Sequence, residues 1–591
     1  MASSSNLVFM PLIVSQCSLP WTRRSILTLL ATATAFAERP KRSPYVLETM
    51  PSALPELVDR YRADLRAIDA FYPLTYASTR IEVLREFHEV WLKSIEQLPF
   101  DSYDVEGRID WLMLRNTNQR ALALLDLDES RWREMQPLLS FAPSLWRLEE
   151  IRQRVDAIEG REAAGILVNV AKQLKELDVW LKKPDTPKQS QTVALRAHRL
   201  VLDMEASLKK WFAFYEGYDP VFEWWVKDPA TKLSKALTEY ATTLRERGAG
   251  LKKDDRDTII GDPIGRDALL SDLRADMIAY TPEELIEIAD REFAWCEAEL
   301  RKASKEMGLG EDTKAAIERV KNLHPNPGAQ PKMILDMVTE AIEFVTSRNL
   351  VTVPQLARDS WRVLMMSPER QRINPFFLGG ESIIISYPTD TMTHEEKLMS
   401  MRGNNEHFSR AVVHHELIPG HNLQRFYNQR HRPYRAVFET PFWREGWALW
   451  WEMLLWDLKF PRNAEDKVGM LFWRMHRCAR IIFSLKFHLG QMKAQECVDF
   501  LVDRVGHERD NAAAEVRRSF EGTYPPLYQA AYMLGGLQIR SLYRDLVTSG
   551  KMTPKAFHDH ILKGNALPIE MVRASLTQTK LDKNFVAKWR F

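Results

Sequence analysis

The sequence is poor in cysteine and has no excess of charge of either sign. It contains 4 cysteines in 591 residues and no Cys-x-x-Cys pair, which argues against a disulfide framework or a cysteine-based zinc site. Lysine plus arginine total 82 against 80 aspartate plus glutamate, so the chain lacks the basic excess typical of nucleic-acid binding. The cysteines are therefore predicted to be buried apolar residues, and no nucleic-acid partner is expected.

Long apolar runs and glycine-rich loops are also missing. No stretch reaches the roughly 18 apolar residues that a membrane-spanning helix needs, so no transmembrane segment is expected. Gly379-Gly380 stands alone, without the spacing of a phosphate-binding or dinucleotide-binding loop. With 45% hydrophobic and 27% charged residues, the composition is typical of a globular protein.

The N-terminal 44 residues, which we treat as an extension, leave two cellular locations open. Arg23-Arg24 precedes an apolar run that ends at Ala37 in an Ala-x-Ala pattern, as in a cleaved secretory signal. However, more than twenty residues precede the arginine pair, and the remainder has no Asn-x-Ser/Thr glycosylation site. The protein is expected in the cytoplasm or, if the segment from Arg23 to Ala37 is a cleaved signal, in a secreted or vacuole-like compartment.

Helical periodicity dominates the rest of the chain. Apolar residues recur every three or four positions in four segments, Ile81 to Leu98, Ile151 to Leu181, Thr192 to Tyr215 and Leu233 to Arg247. A further helix is expected from Thr281 to about Met307. Its start carries a capping threonine, a proline in the first turn and a glutamate three residues after the cap.

One short segment has the pattern of a strand. Glu381 to Tyr387 is rich in β-branched residues and lies between Gly379-Gly380 and Pro388. It is expected either to pair with an extended substrate backbone or to be an ordinary core strand. The many amphipathic helices must otherwise pack on one another, so the fold class is predicted to be mostly α with at most a small sheet.

Histidine is concentrated in the C-terminal part of the chain. Eleven of the fourteen histidines lie between His394 and His560. This asymmetry predicts a helical region over residues 45–370 and a helical catalytic region over 371–591, either separate or forming one continuous domain. His558 and His560, near the end of a helical segment, are predicted to be solvated.

The strongest candidate for chemistry is the segment from His415 to His421. A zinc motif of the type His-Glu-x-x-His places its two histidines one helical turn apart, whereas here they are six residues apart. Pro419 must kink or bulge the helix, and Gly420 tolerates an unusual backbone angle, so both histidines can return to one metal. His414, seven residues before His421, is the competing first ligand. His415 is favoured because Glu416 must adjoin a ligand to reach a metal-bound water.

A catalytic zinc takes three protein ligands, and Glu445 is the candidate for the third. Thr440 and Pro441 begin a helix that carries Glu445 near its start and Glu452 seven residues later on the same face. A carboxylate among tryptophans is costly unless it is paired with a metal or a charge. The alternative is an ion pair between Glu445 and an arginine such as Arg444 or Arg477.

Two motifs together resemble a known family. His-His-Glu-x-x-Pro-Gly-His-x-x-Gln, from His414 to Gln424, followed by Glu-Gly-Trp-Ala-Leu-x-x-Glu, from Glu445 to Glu452, is similar to domain-of-unknown-function family 885. That family of bacterial and fungal proteins is grouped with the gluzincin-type metallopeptidases. The resemblance covers most of the chain from about residue 50. It implies a helical, zincin-like fold similar to the helical carboxypeptidases and oligopeptidases, with Zn²⁺ on His415, His421 and Glu445.

The catalytic roles follow from the chemistry of such a site. Zinc acidifies a water and polarises the scissile carbonyl, and Glu416 takes the proton of that water and delivers it to the leaving amine. The oxyanion needs a further donor, for which Tyr532 is the first candidate and Tyr528 the second. Family members typically show Pro-Gly-Gln-Ala-x-x-Tyr-x-x-Gly here; Pro526, Tyr532 and Gly535 match, but Leu527-Tyr528 replaces Gly-Gln.

The leading hypothesis is a zinc-dependent hydrolase that cleaves an amide bond in a peptide or peptide-like small molecule. One alternative keeps the metal but changes the substrate to a non-peptide amide or ester of a biosynthetic pathway. Another is an inactive helical scaffold, against which the intact Glu416 argues. On the arginine-bearing helix near Phe472 to Phe483, Arg477 or Arg480 is expected either to meet a substrate carboxylate or to form a buried structural ion pair.

Overall fold

Almost all of the regular structure is helical, as predicted. The computed structural model describes residues 53–591 except 187, 253, 256, 372–375 and 522–523. Within this part of the chain there are two strands, of four residues each, and no helix is long and apolar enough to cross a membrane. The extension of residues 1–44, with Cys17 and the segment from Arg23 to Ala37, lies outside the described residues.

Eleven α-helices lie in the described chain between residues 53 and 347. Helices α1 to α11 span Leu54–Phe71, Ser78–Glu96, Val105–Met135, Ala142–Arg154, Gly160–Lys182, Gln191–Tyr215, Pro220–Thr243, Gly265–Ala275, Pro282–Glu306, Thr313–Lys321 and Gln330–Ser347. A single turn of π-helix, Leu244–Gly248, extends α7.

The remaining helices and both strands lie between residues 355 and 577. Helices α12 to α23 span Gln355–Ser360, Pro368–Gln371, His394–Gly403, Glu406–Glu416, His421–Asn428, Pro441–Asp457, Ala464–His488, Ala494–Phe500, Arg509–Phe520, Tyr528–Tyr543, Pro554–Gly564 and Ile569–Thr577. Strand β1 is Arg362–Met365 and strand β2 is Ser382–Ile385.

The periodicity of apolar residues located most helices but missed one break. The predicted helix from Ile151 to Leu181 is two helices, because α4 ends at Arg154 and α5 begins at Gly160. Val155 adopts the left-handed conformation, with φ of 57°, and ends the helix. Val155 and Ile158 keep the helical spacing of apolar residues, so the pattern alone could not reveal the turn.

Helix α9 begins as its sequence predicts. Thr281 and Glu284 form a reciprocal capping box, and the helix runs from Pro282 to Glu306. Its buried face packs against the long helix α18, where Cys296 and Cys478 are both fully buried. Cys497 is buried as well, which confirms that these three cysteines are apolar core residues.

Strand β2 lies between two partners. It pairs in parallel with β1, with Ile383 opposite Val363. On the other side, the amide and carbonyl of Ile384 exchange hydrogen bonds with Leu378. Both neighbouring positions are therefore occupied, and β2 is a core strand rather than an open edge for a substrate. The exposed strand β1 was not predicted, because its sequence lacks the β-branched pattern.

Helix α17 is buried along most of its length and carries Glu445. Thr440 caps its first turn and Pro441 is its first residue, as predicted. Glycine allows it to approach α21 very closely: a Cβ on Gly446 would lie 2.6 Å from the backbone of Gly535. This contact between backbones places the start of α17 beside Tyr528 and Tyr532 of α21.

The prediction that His558 and His560 are solvated is wrong. His558 is fully buried, accepts a hydrogen bond from the indole of Trp450 at 2.9 Å, and contacts the Leu350 carbonyl at 2.8 Å. Burial lowers its pKa to about 4, so the ring is neutral. His560 is partly buried and bonds to Ser575. Helix α22 packs inward at these positions because tryptophan side chains of α17 supply an aromatic surface there.

Candidate metal centre

The motif from His415 to His421 spans the end of one helix and the start of the next. Helix α15 ends at Glu416 and α16 begins at His421, and the Ile418–Pro419 peptide between them is cis. The predicted kink or bulge within one helix is therefore a complete break. Gly420 has a φ of −78°, which any residue can adopt. Glycine is required at this position because there is no room for a side chain: a Cβ there would lie 1.8 Å from the carbonyl oxygen of His415.

The break brings the three predicted ligands together. His415, His421 and Glu445 each offer one ligand atom, and these atoms lie within 4.8 Å of one another. Oε2 of Glu445 is 3.2 Å from Nε2 of His421 and 3.6 Å from Nε2 of His415. Two imidazole nitrogens and one carboxylate oxygen form a donor set that suits zinc and leaves a fourth position free.

His414 does not belong to this group. Its ring contacts Phe460 edge-on, with 5.7 Å between ring centroids, and burial lowers its pKa to about 4. Because consecutive residues of a helix point in different directions, only one of the two adjacent histidines can face Glu445. The structure places His415 in that position.

Each histidine of the triad is held by a second side chain. Nδ1 of His415 is 2.7 Å from Oε1 of Glu452, and Nδ1 of His421 is 3.4 Å from Oε1 of Gln424. The amide of Gln424 is oriented in turn by its bond to the Trp443 carbonyl at 3.1 Å. Such contacts leave the Nε2 atoms directed at a common point and increase their basicity, as in known zinc sites.

The charges of the triad are mutually stabilising. Burial lowers the pKa of His415, but the contact with Glu445 and the hydrogen bond to Glu452 outweigh it and raise the pKa to about 9. Burial would likewise raise the pKa of Glu445, yet His421 and His415 hold it well below its usual range. Arg477 and His415 likewise lower the pKa of Glu452 against the effect of burial. The carboxylates of Glu445 and Glu452 are therefore both ionised.

Glu445 does not form the predicted alternative ion pair with arginine. Arg444 pairs with Glu439, and Arg477 lies 3.4 Å from Glu452. Instead, the second carboxylate oxygen of Glu445 accepts a hydrogen bond of 2.5 Å from the hydroxyl of Tyr528. Glu445 is only 3% exposed, so each oxygen of this buried carboxylate has a partner.

Glu416 lies beside the triad with a free carboxylate. Among the described residues, no side chain hydrogen-bonds to its oxygens. The Gly379 backbone passes directly against it, since a Cβ on Gly379 would lie 2.0 Å from Oε2 of Glu416. Burial raises the pKa of Glu416, although His415 and His421 oppose the shift. A carboxylate with no protein partner is available to a water or a substrate.

The two candidate tyrosines have different surroundings. The Tyr528 hydroxyl is bonded to Glu445, as described above. The Tyr532 ring lies nearly parallel to that of His415, with centroids 6.1 Å apart, and its hydroxyl has no hydrogen-bond partner among the described residues. Burial raises the pKa of both phenols, so both keep their protons at neutral pH. Tyr532 is therefore the free donor of the two.

These groups face one cavity of about 530 Å³. The triad, Glu416 and both tyrosines line it together with Arg477 and Arg480. This volume lies within the range of pockets that hold small-molecule ligands. The arrangement therefore combines a possible metal site, a free carboxylate and phenolic donors within reach of one ligand in the cavity.

Glu452 is a residue of the site whose contact with His415 the sequence did not predict. Its spacing of seven residues from Glu445 predicted that both side chains lie on one face of the helix, and this spacing was the indication that the sequence offered. Changing Glu452 to glutamine is expected to weaken zinc binding about 10-fold to 100-fold, because His415 loses an anionic hydrogen-bond partner.

The zinc dissociation constant of this variant, measured by competition with a chromogenic chelator, checks the prediction. Asp457→Asn is the matched control, because Asp457 lies on the same helix but is exposed and contacts Arg540. Unchanged zinc affinity in folded Glu452→Gln protein would contradict the role assigned to Glu452.

Comparison with solved structures supports the fold. The chain is similar to a candidate lipoprotein of unknown function from Shewanella oneidensis, with 16% identity and a TM-score of 0.65, over 89% of this chain and 100% of that one. It is also similar to a candidate lipoprotein from Colwellia psychrerythraea, with 13% identity and a TM-score of 0.54, over 89% and 98%. At these identities the likeness shows a common fold. No curated protein matches the sequence.

The family is shown by the sequence itself. Residues 74–576, which include every residue of the candidate metal centre, match the family described as bacterial protein of unknown function, DUF885. The resemblance drawn from the two motifs is thereby confirmed. The chain belongs to the DUF885 family.

Proposed function

We propose that the protein is a zinc-dependent hydrolase that cleaves an amide bond in a peptide or a peptide-like molecule. One observation carries the proposal: a three-donor group, His415, His421 and Glu445, faces a cavity beside the unbonded carboxylate of Glu416. A purely structural zinc site uses four protein ligands and needs no base beside it. An inactive scaffold would not require this combination.

Zinc held by the triad supplies an acidified water and a Lewis acid for the scissile carbonyl. Glu416 acts as the general base, taking a proton from the attacking water onto its free carboxylate. The same carboxyl group then donates that proton to the nitrogen of the leaving amine. Gly379, whose backbone lies against Glu416, limits the positions that this side chain can adopt.

Tyr532 and Tyr528 have different roles in this scheme. Tyr532 has a protonated hydroxyl without a protein partner, so we assign it as the donor to the oxyanion that develops on the substrate. Tyr528 donates to Glu445 at 2.5 Å and fixes the orientation of that carboxylate. Tyr528 is thus a positioning residue in this scheme.

The proposal is tested with a library of short peptides and the purified protein loaded with zinc. We expect hydrolysis that a chelator abolishes and that added zinc restores, because the triad has no redundant ligand among the described residues. Product masses identify the cleaved bond. If zinc-loaded protein leaves every peptide intact, peptidase activity is contradicted, and amides or esters of non-peptide acids become the substrates to examine.

A further inference from the structure

Three arginines form the wall of the cavity next to the triad. Arg477 and Arg480 project from α18 and Arg518 from α20, and all three line the cavity. Their carboxylate partners are Glu452 and Glu515. Three guanidinium groups therefore face two carboxylates, so Arg480 and Arg518 share Glu515 and these five groups carry a net charge of +1.

The carboxylate of Glu515 is shared among several donors. Its oxygens accept from Arg480 at 2.6 Å and from Gln529 at 2.9 Å, and contact Arg518 at 2.6 Å. Burial would raise the pKa of Glu515, but Arg480 and Arg518 lower it to about 2. Glu515 is therefore a fixed anion that holds two of the arginines in place.

Several guanidinium donors remain unused. Nε of Arg477, Nη1 of Arg480 and Nε of Arg518 are buried and have no hydrogen-bond partner among the described residues. Arg480 is only 2% exposed, so bulk water cannot freely satisfy it. Buried charged donors without acceptors are costly, and a planar carboxylate matches the guanidinium donors in both charge and shape. An anionic group would supply acceptors that this wall lacks.

This arginine wall lies close to the triad. Oε1 of Glu452 is 2.7 Å from Nδ1 of His415 and 3.4 Å from Nη2 of Arg477. The Tyr532 ring, which stacks near His415, is contacted by Arg480 with its Cζ 4.4 Å from the ring centroid. An extended peptide advances about 3.3–3.6 Å per residue. An anion on the wall would therefore lie one or two residues from the bond being cleaved.

We propose that Arg477, Arg480 and Arg518 bind the free α-carboxylate of a peptide C terminus. The enzyme then removes one or two residues from that end. Water adds across the amide: the C–N bond breaks, a C–O bond forms on the shortened peptide, and the leaving amine takes a proton from Glu416. This inference rests on the hydrolase activity proposed above and defines the substrates of the same site.

The first test compares N-acetylated peptides that end in a free carboxylate with the same peptides ending in an amide. We expect the zinc-loaded enzyme to hydrolyse the free acids at least about 100-fold more efficiently, because the amides leave buried guanidinium groups unpaired. Mass spectrometry should show release of a single C-terminal amino acid or a dipeptide.

A variant then identifies the arginine wall as the cause. Arg480→Gln is expected to raise KM for the free-acid peptides about tenfold and thereby to reduce the preference for free acids over amides. Glu515 keeps Arg518 and Gln529 as partners in this variant. Arg474→Gln is the matched control: Arg474 is also a buried arginine of α18, but it pairs with Glu292 and does not line the cavity.

A binding measurement keeps the proposal testable if Arg480→Gln does not fold. Calorimetry on zinc-loaded Glu416→Gln protein should show tighter binding of an N-acetyl peptide acid than of its amide. Equal affinity, equal hydrolysis of acids and amides, or cleavage at internal bonds would each overturn the C-terminal specificity while leaving the hydrolase intact. Absence of hydrolysis of both peptide sets would instead overturn the proposed function itself.

Discussion

Glu416→Gln protein is expected to hydrolyse its amide substrate about 1,000-fold more slowly than the wild type while still binding zinc. Glutamine fills nearly the same space but cannot take a proton from water at neutral pH, and general base catalysis typically contributes about 100-fold to 10,000-fold. Glu416 is not one of the three grouped ligands, so the metal content should not change. The rate constant kcat and the zinc content of the same preparation measure both expectations.

The matched control for this variant is Glu406→Gln. Glu406 begins the same helix, α15, but its partner is Arg462, with both side chains 45% exposed, and it is remote from the cavity lining. This control should retain wild-type kcat. If Glu416→Gln kept more than about a tenth of the wild-type kcat, Glu416 could not be the general base.

The grouping of His415, His421 and Glu445 was predictable from sequence because each of these residues lies in a short motif whose chemistry is local. Glu416 follows His415 directly, and the Thr440-Pro441 start predicts the helix that carries Glu445. The geometry of the helix break was not predictable in the same way. It depends on how closely the Gly420 backbone approaches the carbonyl of His415, which is a matter of packing.

The parts that sequence reasoning missed are contacts between distant segments. Glu452 holds His415 across 37 residues, and Glu515 holds Arg480 across 35. The sequence left two roles open for Arg480, a structural ion pair or a substrate contact. The structure contains the ion pair with Glu515 and also leaves other donors of Arg480 unused. Arg480 can therefore form the ion pair and also contact a substrate, whereas the sequence analysis treated these two roles as alternatives.

The burial of His558 illustrates the same limit. A histidine near the end of a helical segment is usually exposed, yet the indole of Trp450, 108 residues earlier, donates to its ring. Helix α22 packs on the tryptophans of α17, and this tertiary contact outweighs the exposure that the local sequence predicts for His558. Fold class was nevertheless predictable, because the helical period of apolar residues recurs through most of the chain.

His421→Ala is expected to reduce bound zinc from about one ion per chain to nearly none. The triad has three donors, and losing one leaves only His415 and Glu445, too few to hold zinc against dialysis. Zinc should also cease to raise the Tm, whereas in the wild type a zinc concentration 100 times Kd should add about 2.7 kcal/mol to the free energy of unfolding. Elemental analysis after dialysis and thermal unfolding with and without zinc measure these effects.

The control for this prediction is His394→Ala. His394 is exposed and, like His415, is followed by a glutamate. It therefore shares the His-Glu dipeptide but, among the described residues, is not grouped with other potential metal ligands. It should bind as much zinc as the wild type and gain the same stability from it. The apo form of His421→Ala should remain folded, since Glu445 keeps its bond to Tyr528 and its contact with His415. A folded His421→Ala protein that still retained one zinc would place the metal elsewhere, and the catalytic scheme built on this triad would fail with it.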